Sequence, residues 1–176
     1  MSKSHPLAAT LPMEAKLVGA LPRGPGWQYM PKWNGFRAIA SRSGCTIEIM
    51  SKSGKSLARY FPEIVTVLAA KYERDFVLDG ELIFFIGEIL SFDALQSRLH
   101  PAASRIARLS VETSAKRMLF DCLAVGGRDL VDALLEKRRA AIERFHAAEV
   151  NSTSLLAPAT TDERLASVTP SLKRGS

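Results

Sequence analysis

Apolar and polar positions first fall into a regular pattern near residue 36. Phe36 to Arg42 and Cys45 to Met50 read as two strands joined by Ser43-Gly44. Cys45, Ile47 and Ile49 alternate with polar or smaller residues, the period-two pattern of a half-buried strand. Trp27 to Pro31 reads as a short strand ending at Lys32. Residues 51–61 form a polar loop around Gly54, and Pro62 suits the first position of a helix, where its missing N–H is no loss. Ile64, Val65, Leu68 and Tyr72 give that helix an apolar stripe. Phe76 to Phe85 predicts a strand interrupted at Asp79-Gly80-Glu81, with a turn at Gly87 before Ile89 and Leu90. Phe92 to Leu99 predicts a short helix with Asp93 in its first turn. Lys116 to Val125 predicts a strand broken by Gly126-Gly127. Asp132 to His146 carries the clearest helical pattern, with Leu134, Leu135, Arg138, Ile142 and Phe145 on or near one face. Leu155 to Ala157 predicts a last strand, and Asp162 can N-cap a final short helix.

Strands outnumber helices, and several neighbours are joined by short loops. That predicts an α+β fold with antiparallel sheets and flanking helices rather than alternating βαβ units. The organisation expected is an extended lead-in over 1–26, punctuated by Pro6, Pro12, Pro22 and Pro25, a body over 27–168, and a polar, basic tail over 169–176.

Composition narrows the class without deciding it. A chain of 176 residues fits one domain that can bury a core without staples. The net charge of +6 favours polyanionic partners such as nucleic acid, but many basic proteins bind none. Cys45 and Cys122 each sit in an apolar, strand-like run and are expected to be buried free thiols, not a disulfide. Residues 1–13 lack an apolar leader core, and no apolar run approaches the ~18–20 residues that span a bilayer. No membrane partner is expected, and the default location is cytoplasmic.

The candidate chemistry begins at Lys32-Trp33-Asn34-Gly35-Phe36-Arg37, just after the first β-prone stretch. Taken alone, this run fits a basic turn in which Gly35 supplies the geometry. Gly54-Lys55-Ser56 imitates the end of a phosphate-binding P-loop, but that pattern needs a glycine where Ile49 stands, so it is rejected. His5, His100 and His146 do not cluster with the cysteines at metal-ligand spacing, and no metal site is predicted.

Further blocks follow in order. They are Arg59-Tyr60-Phe61-Pro62-Glu63, Leu78-Asp79-Gly80-Glu81-Leu82, Phe92 to Leu99 with its Leu-Gln-Ser-Arg core, Leu119-Phe120-Asp121-Cys122-Leu123, and Pro158-Ala159-Thr160-Thr161. With the Lys32 run, the series resembles the covalent nucleotidyltransferases, whose signature is Lys-x-Asp-Gly-x-Arg. It looks closest to short bacterial ATP-dependent DNA ligases of the end-joining type, over roughly residues 12–166. The resemblance implies an ATP-grasp-like nucleotidyltransferase domain of the DNA ligase and mRNA capping enzyme type. It implies that Lys32 attacks the α-phosphate of ATP and carries AMP, which requires some neutral amine favoured by nearby positive charge. Arg37 would supply charge toward the nucleotide. Lys52 stands where related ligases often carry an arginine near the nucleotide, and it keeps the charge without the planar fork. Glu81 matches the glutamate proposed to hydrogen-bond the ribose, and Phe120 matches the aromatic that stacks on adenine. Mg²⁺ would offset triphosphate charge. Asp121 is expected to organise the pocket without ligating a metal.

Three departures from the family pattern stand beside these matches. Asn34 replaces the motif aspartate and removes its charge. Met30 stands where close relatives usually have glutamate, and a thioether is a weak acceptor. The family continues with a Glu-Gly-x-x-x-Lys block and an oligonucleotide-binding fold. The expectation is therefore a partial adenylation domain with little or no ligase activity in isolation and no oligonucleotide-binding domain. Nicked double-stranded DNA, with end-joining repair proteins, is the implied partner, and a bacterial, nucleoid-associated location follows. The alternative is a non-catalytic, ligase-derived module that binds nucleic acid or a partner protein. A related enzyme acting on RNA is a third reading.

Overall fold

The computed structural model describes residues 12–13, 16–99, 102–148 and 153–168. The first part of the expected lead-in, the tail from Thr169, His5 and His100 lie outside the described residues. The chain builds β1 (Phe36–Ser43), β2 (Thr46–Ser51), α1 (Pro62–Ala69), β3 (Asp75–Ile83), β4 (Phe85–Ile86), β5 (Ile89–Leu90) and α2 (Phe92–Gln96). Then come α3 (Ala103–Glu112), β6 (Lys116–Val125), β7 (Arg128–Asp129), α4 (Leu135–Ala147), β8 (Ser154–Leu156) and α5 (Glu163–Val168). A 3-10 turn at Ala58–Tyr60 leads into α1.

The main sheet runs β2-β1-β3-β6-β7, every neighbour antiparallel, and β8 joins β6 in parallel. The expected α+β class stands, with one refinement. The chain returns from β6 through β7 and α4 to β8, so a single crossover helix creates one parallel pair in an antiparallel sheet. The core lies on one sheet face. Ala38, Ala40, Leu78, Leu82, Leu119 and Cys122 meet Ile64 and Leu68 of α1, Leu95 of α2, and Ile142 and Phe145 of α4.

Strand β6 reaches that core with a spacing of three, not two: Leu119, Cys122 and Val125. Two register shifts in the β3–β6 ladder explain it. Asp79 faces Asp121 while Gly80 faces Leu119, and Val77 faces Ala124 while Leu78 faces Cys122. Phe120 and Leu123 are therefore extra residues on β6, and each bulge re-aims the side chains beside it.

Several expectations need correcting. Trp27 to Pro31 is no strand: only Tyr29 forms a bridge, to Thr160, and the flanking Pro31 has no N–H for a ladder. Strand β3 is not interrupted at Asp79-Gly80-Glu81. Gly80 is required there because a Cβ would overlap the Met118 carbonyl of β6. Cys45 is exposed, since it falls in the turn before β2, while Cys122 is buried as expected, and both thiols are free. Tyr72 is fully exposed rather than on the α1 stripe, because α1 ends at Ala69. Arg42 draws the chain out of the helix there, donating to the carbonyls of Leu68 (3.1 Å) and Lys71 (2.8 Å). Helix α4 starts at Leu135, and Leu134 and Leu135 are exposed. Helix α3 has no counterpart in the sequence reading; it buries only Ile106, too little for an apolar stripe to register.

Candidate active site

The face of the sheet opposite the main core carries the polar chemistry. In β1, residues Phe36, Ala38 and Ala40 point to the core, so Arg37 and Ile39 point away. Register places Arg37 opposite Glu81 and Ala38 opposite Gly80, with Asp79 one step further along. Arg37 makes a two-pronged ion pair with Asp79, through Nε to Oδ1 at 2.6 Å and through Nη2 to Oδ2. That bond, more than any other influence, raises the guanidinium pKa. The same guanidinium lies over the Phe120 ring, 5.3 Å from its centroid. Phe120 reaches this face by alternation, on the same side as Met118 with Leu119 in the core between them, and the bulge follows it.

Glu81 anchors the turn that carries the lysine run. The Gly35 N–H donates to Glu81 Oε1 at 2.8 Å. Gly35 must be glycine here, since a Cβ would overlap the Leu82 carbonyl. Burial pushes the Glu81 carboxyl above its ordinary value, against the opposing pull of the Gly35 N–H, Arg37 and Lys32. Lys32 is thus an electrostatic neighbour of Glu81. Its side chain is exposed and borders a cavity of about 420 Å³ that also takes in Tyr29, Met30, Pro158 and Leu165. The backbone on either side of Lys32 is fixed. Tyr29 exchanges hydrogen bonds with Thr160 (2.8 and 3.0 Å), and Trp33 packs on Ile83, Met118 and Ala157. The Trp33 indole N–H is buried with no hydrogen-bond partner among the described residues.

Four of the five residues singled out from sequence thus gather around the start of β1: Lys32, Arg37, Glu81 and Phe120. Lys52 lines a second cavity of about 820 Å³ together with Arg37 and Glu81. Asn34 points elsewhere, into a smaller recess of about 250 Å³ with Ile86, Ile89 and Phe92. The Gly54-Lys55-Ser56 segment is a tight turn, closed by Ser51 N–H to the Lys55 carbonyl at 2.8 Å, and no α-helix starts until Pro62. Its rejection as a P-loop fits that geometry.

Sequence reasoning missed two contributors. Asp79 orients Arg37, and its signal was its place two residues before Glu81 in the same strand. Arg138, assigned to the apolar face of a helix, instead donates through Nε to both Asp121 oxygens at 3.0 and 2.9 Å and clamps the bulge. Burial still raises the Asp121 carboxyl, with Arg138 opposing. Cys122 beside it is pushed up to about 12, first by burial and then by Asp121, so it is an inert thiol at neutral pH. Among the described residues no group of three His, Cys, Asp or Glu is placed to hold a metal ion. No described helix is long and apolar enough to cross a membrane.

A family model described as ATP dependent DNA ligase domain matches residues 9–167. The chain belongs to this ligase family. DNA ligase C2 of Mycolicibacterium smegmatis is 43% identical over 151 residues, covering 86% of this chain and 42% of the relative. DNA ligase C of Mycobacterium tuberculosis is 40% identical over 154 residues, with the same shares covered. This ligase-family chain therefore spans less than half the length of these curated relatives. The crystal structure of the ligase domain of M. tuberculosis LigD superposes with a TM-score of 0.61 at 21% identity, covering 80% of this chain and 42% of that one. At that identity the superposition speaks for the fold alone, and it supports the expected nucleotidyltransferase architecture.

Proposed function

We propose that this chain provides the nucleotide-attaching part of an ATP-dependent DNA ligase, with Lys32 as the residue that takes AMP. The observation that carries this reading is the convergence of Lys32, Arg37, Glu81 and Phe120 in a chain whose family is the ATP-dependent ligases. The Lys32 nitrogen forms a bond to the α-phosphorus of ATP as the bond to the β-phosphate oxygen breaks. Pyrophosphate leaves, and the amine loses its proton to solvent. Phe120 offers a half-buried aromatic face for adenine, and Glu81 Oε2 can accept from a ribose hydroxyl while Oε1 holds Gly35. Arg37, fixed by Asp79, and Lys52, across the second cavity, supply positive charge toward the phosphates.

Mg²⁺ fits as a companion of the triphosphate rather than of a protein cage. Asp79 and Asp121 are engaged by arginines, and a magnesium ion commonly takes substrate phosphates and water with few carboxylates. When bound, it would neutralise charge on the leaving pyrophosphate. In the complete reaction AMP passes from Lys32 to the 5′-phosphate of nicked double-stranded DNA, and a 3′-hydroxyl then displaces it. A role in DNA repair and recombination alongside end-joining proteins, in the bacterial cytoplasm at the nucleoid, belongs to the same proposal. One of the similar proteins is named a multifunctional non-homologous end joining protein, and a structural neighbour was solved with ATP.

The test is incubation with ATP labelled at the α-phosphate, followed by denaturing electrophoresis. Label that survives denaturation and is lost in Lys32→Ala supports the assignment. Equal label in the variant removes Lys32 as the nucleophile. A second reading, a non-catalytic ligase-derived module, draws on Asn34 and on the exposed Met30 beside Lys32. It predicts salt-dependent DNA binding with no label in either protein.

A further inference from the structure

We propose that Met30 leaves the nucleotide site indifferent to the group at the purine 6-position, so that inosine and guanosine triphosphates serve Lys32 beside ATP. The inference rests on the ligase reading and names the substrate class of that same site. Met30 is 41% exposed, stands two residues before Lys32, and lines with it the cavity of about 420 Å³. That volume lies in the range of small-ligand sites (~300–1,000 Å³) and admits part of a nucleotide beside the amine that attacks it.

Adenine presents an amino donor at its 6-position, where guanine and hypoxanthine present a carbonyl acceptor. A protein wall separates them by placing an acceptor or a donor opposite that group. Among the described residues that line the cavity, no side chain is a carboxylate or an amide. Its two side-chain oxygens are already engaged. The Tyr29 hydroxyl donates to the Pro22 carbonyl (2.7 Å), and Thr160 Oγ1 accepts from Asp162 N–H (3.0 Å). Tyr29 and Thr160 also close their backbone N–H and carbonyl groups on each other. Glu163, at the start of α5, accepts from Gly24 N–H (2.8 Å). Met30 adds a thioether, which is a weak acceptor and no donor.

Apolar surface makes up the rest of the wall, from Leu21, Pro158, Ala159 and Leu165. Apolar contacts and the Phe120 ring grip a purine by its faces, which adenine, guanine and hypoxanthine share. An apolar site rejects a near-isosteric analogue weakly, whereas a site built to hydrogen-bond one group rejects its replacement by orders of magnitude. The transfer is the same for each purine. The Lys32 nitrogen bonds to the α-phosphorus, the bond to the β-phosphate oxygen breaks, pyrophosphate leaves, and the amine proton goes to solvent.

The experiment is displacement of ATP carrying a fluorescent ribose label from the full 176-residue chain, in EDTA so that no transfer proceeds. Unlabelled ATP, inosine triphosphate and guanosine triphosphate are the competitors. The readout is the ratio of their inhibition constants, which a general loss of affinity leaves unmoved. The expected result is a ratio of inosine triphosphate to ATP within about threefold in the wild type. Met30→Glu supplies a charged acceptor for the 6-amino group and repels a 6-carbonyl, so ATP should gain a preference of about tenfold or more. Met30→Leu exchanges one apolar side chain for another, and its ratio should stay within about twofold of wild type. A wild-type preference for ATP of about tenfold or more, or an unchanged ratio in Met30→Glu, overturns the inference and leaves the ligase reading standing. Absence of any nucleotide binding in the wild type overturns both. Failure of Lys32 labelling with unselective binding intact strikes the nucleophile assignment instead.

Discussion

Glu81 is pulled two ways. Burial disfavours its charge, while Gly35, Arg37 and Lys32 favour it, and burial wins. The native carboxyl therefore holds its proton to a higher pH than the unfolded one. Between the unfolded and native values the native state binds more protons, so this group's contribution is fully present below the unfolded pKa. It is lost as pH rises through the native pKa. Glu81→Gln keeps an oxygen for the Gly35 N–H and removes the titration. The urea midpoint of wild type is therefore expected to fall relative to Glu81→Gln as pH climbs upward from the ordinary glutamate value of 4.5. A constant difference between pH 4 and 7 would contradict burial as the dominant cause. Lys32 is one of the groups opposing burial, so Lys32→Ala should enlarge the effect.

Among the elements, a single side chain joins two of the sequence blocks to α3. Arg98, just past α2, is 1% exposed and stacks on Phe61 at 5.2 Å. It donates to the carbonyls of Tyr60 (2.9 Å), Leu109 (3.2 Å) and Thr113 (2.9 Å), and pairs with Glu63 (2.9 Å). Glu63 in turn accepts from the Ala115 N–H at the entry to β6 (3.1 Å). The blocks Arg59 to Glu63 and Phe92 to Leu99 are thus held together by packing around one buried cation. Arg98→Met leaves the Glu63 carboxylate largely buried without its cation, and removal of one partner of such a pair costs about 3–5 kcal/mol. The predicted drop in unfolding free energy is ~3 kcal/mol by urea titration, and a loss under ~1 kcal/mol would show that water or a neighbour replaces the guanidinium. Elements set by local signals were legible from sequence: Pro62 at a helix start, Asp162 accepting from Arg164 N–H at 2.8 Å, and Lys116 to Val125 as a strand. The bulges were not, because they arise from the fit of β6 against Gly80, a tertiary event that leaves no period in one strand. Yet the bulge is what lets Cys122 follow Leu119 into the core at a spacing of three.

At the scale of the molecule, the two ends of the described chain clasp each other beside Lys32. Tyr29 bridges Thr160, the Tyr29 hydroxyl donates to the Pro22 carbonyl (2.7 Å), and Gly24 N–H donates to Glu163 Oε1 (2.8 Å). The sheet does not depend on this clasp, since its ladders run only between residues 36 and 156. The clasp shapes the wall of the cavity at Lys32, and it joins segments more than a hundred residues apart, which is why sequence gave a strand at 27–31 with nothing to pair it. Thr160→Pro separates the two functions. Proline removes the Thr160 N–H that reaches the Tyr29 carbonyl (3.0 Å) and the hydroxyl that accepts from Asp162 N–H (3.0 Å). One or two hydrogen bonds at a half-exposed edge are worth about 1–2 kcal/mol, too little to unfold the sheet. The expected outcome is a nearly unchanged near-ultraviolet spectrum, with trypsin cleavage after Arg23 and Lys32 several-fold faster by mass spectrometry. Labelling of Lys32 by ATP should fall in parallel, because the lysine keeps its chemistry but loses one wall of its cavity. If cleavage is unchanged, the clasp contributes nothing to holding the loop. If the whole sheet melts with it, the clasp belongs to the core.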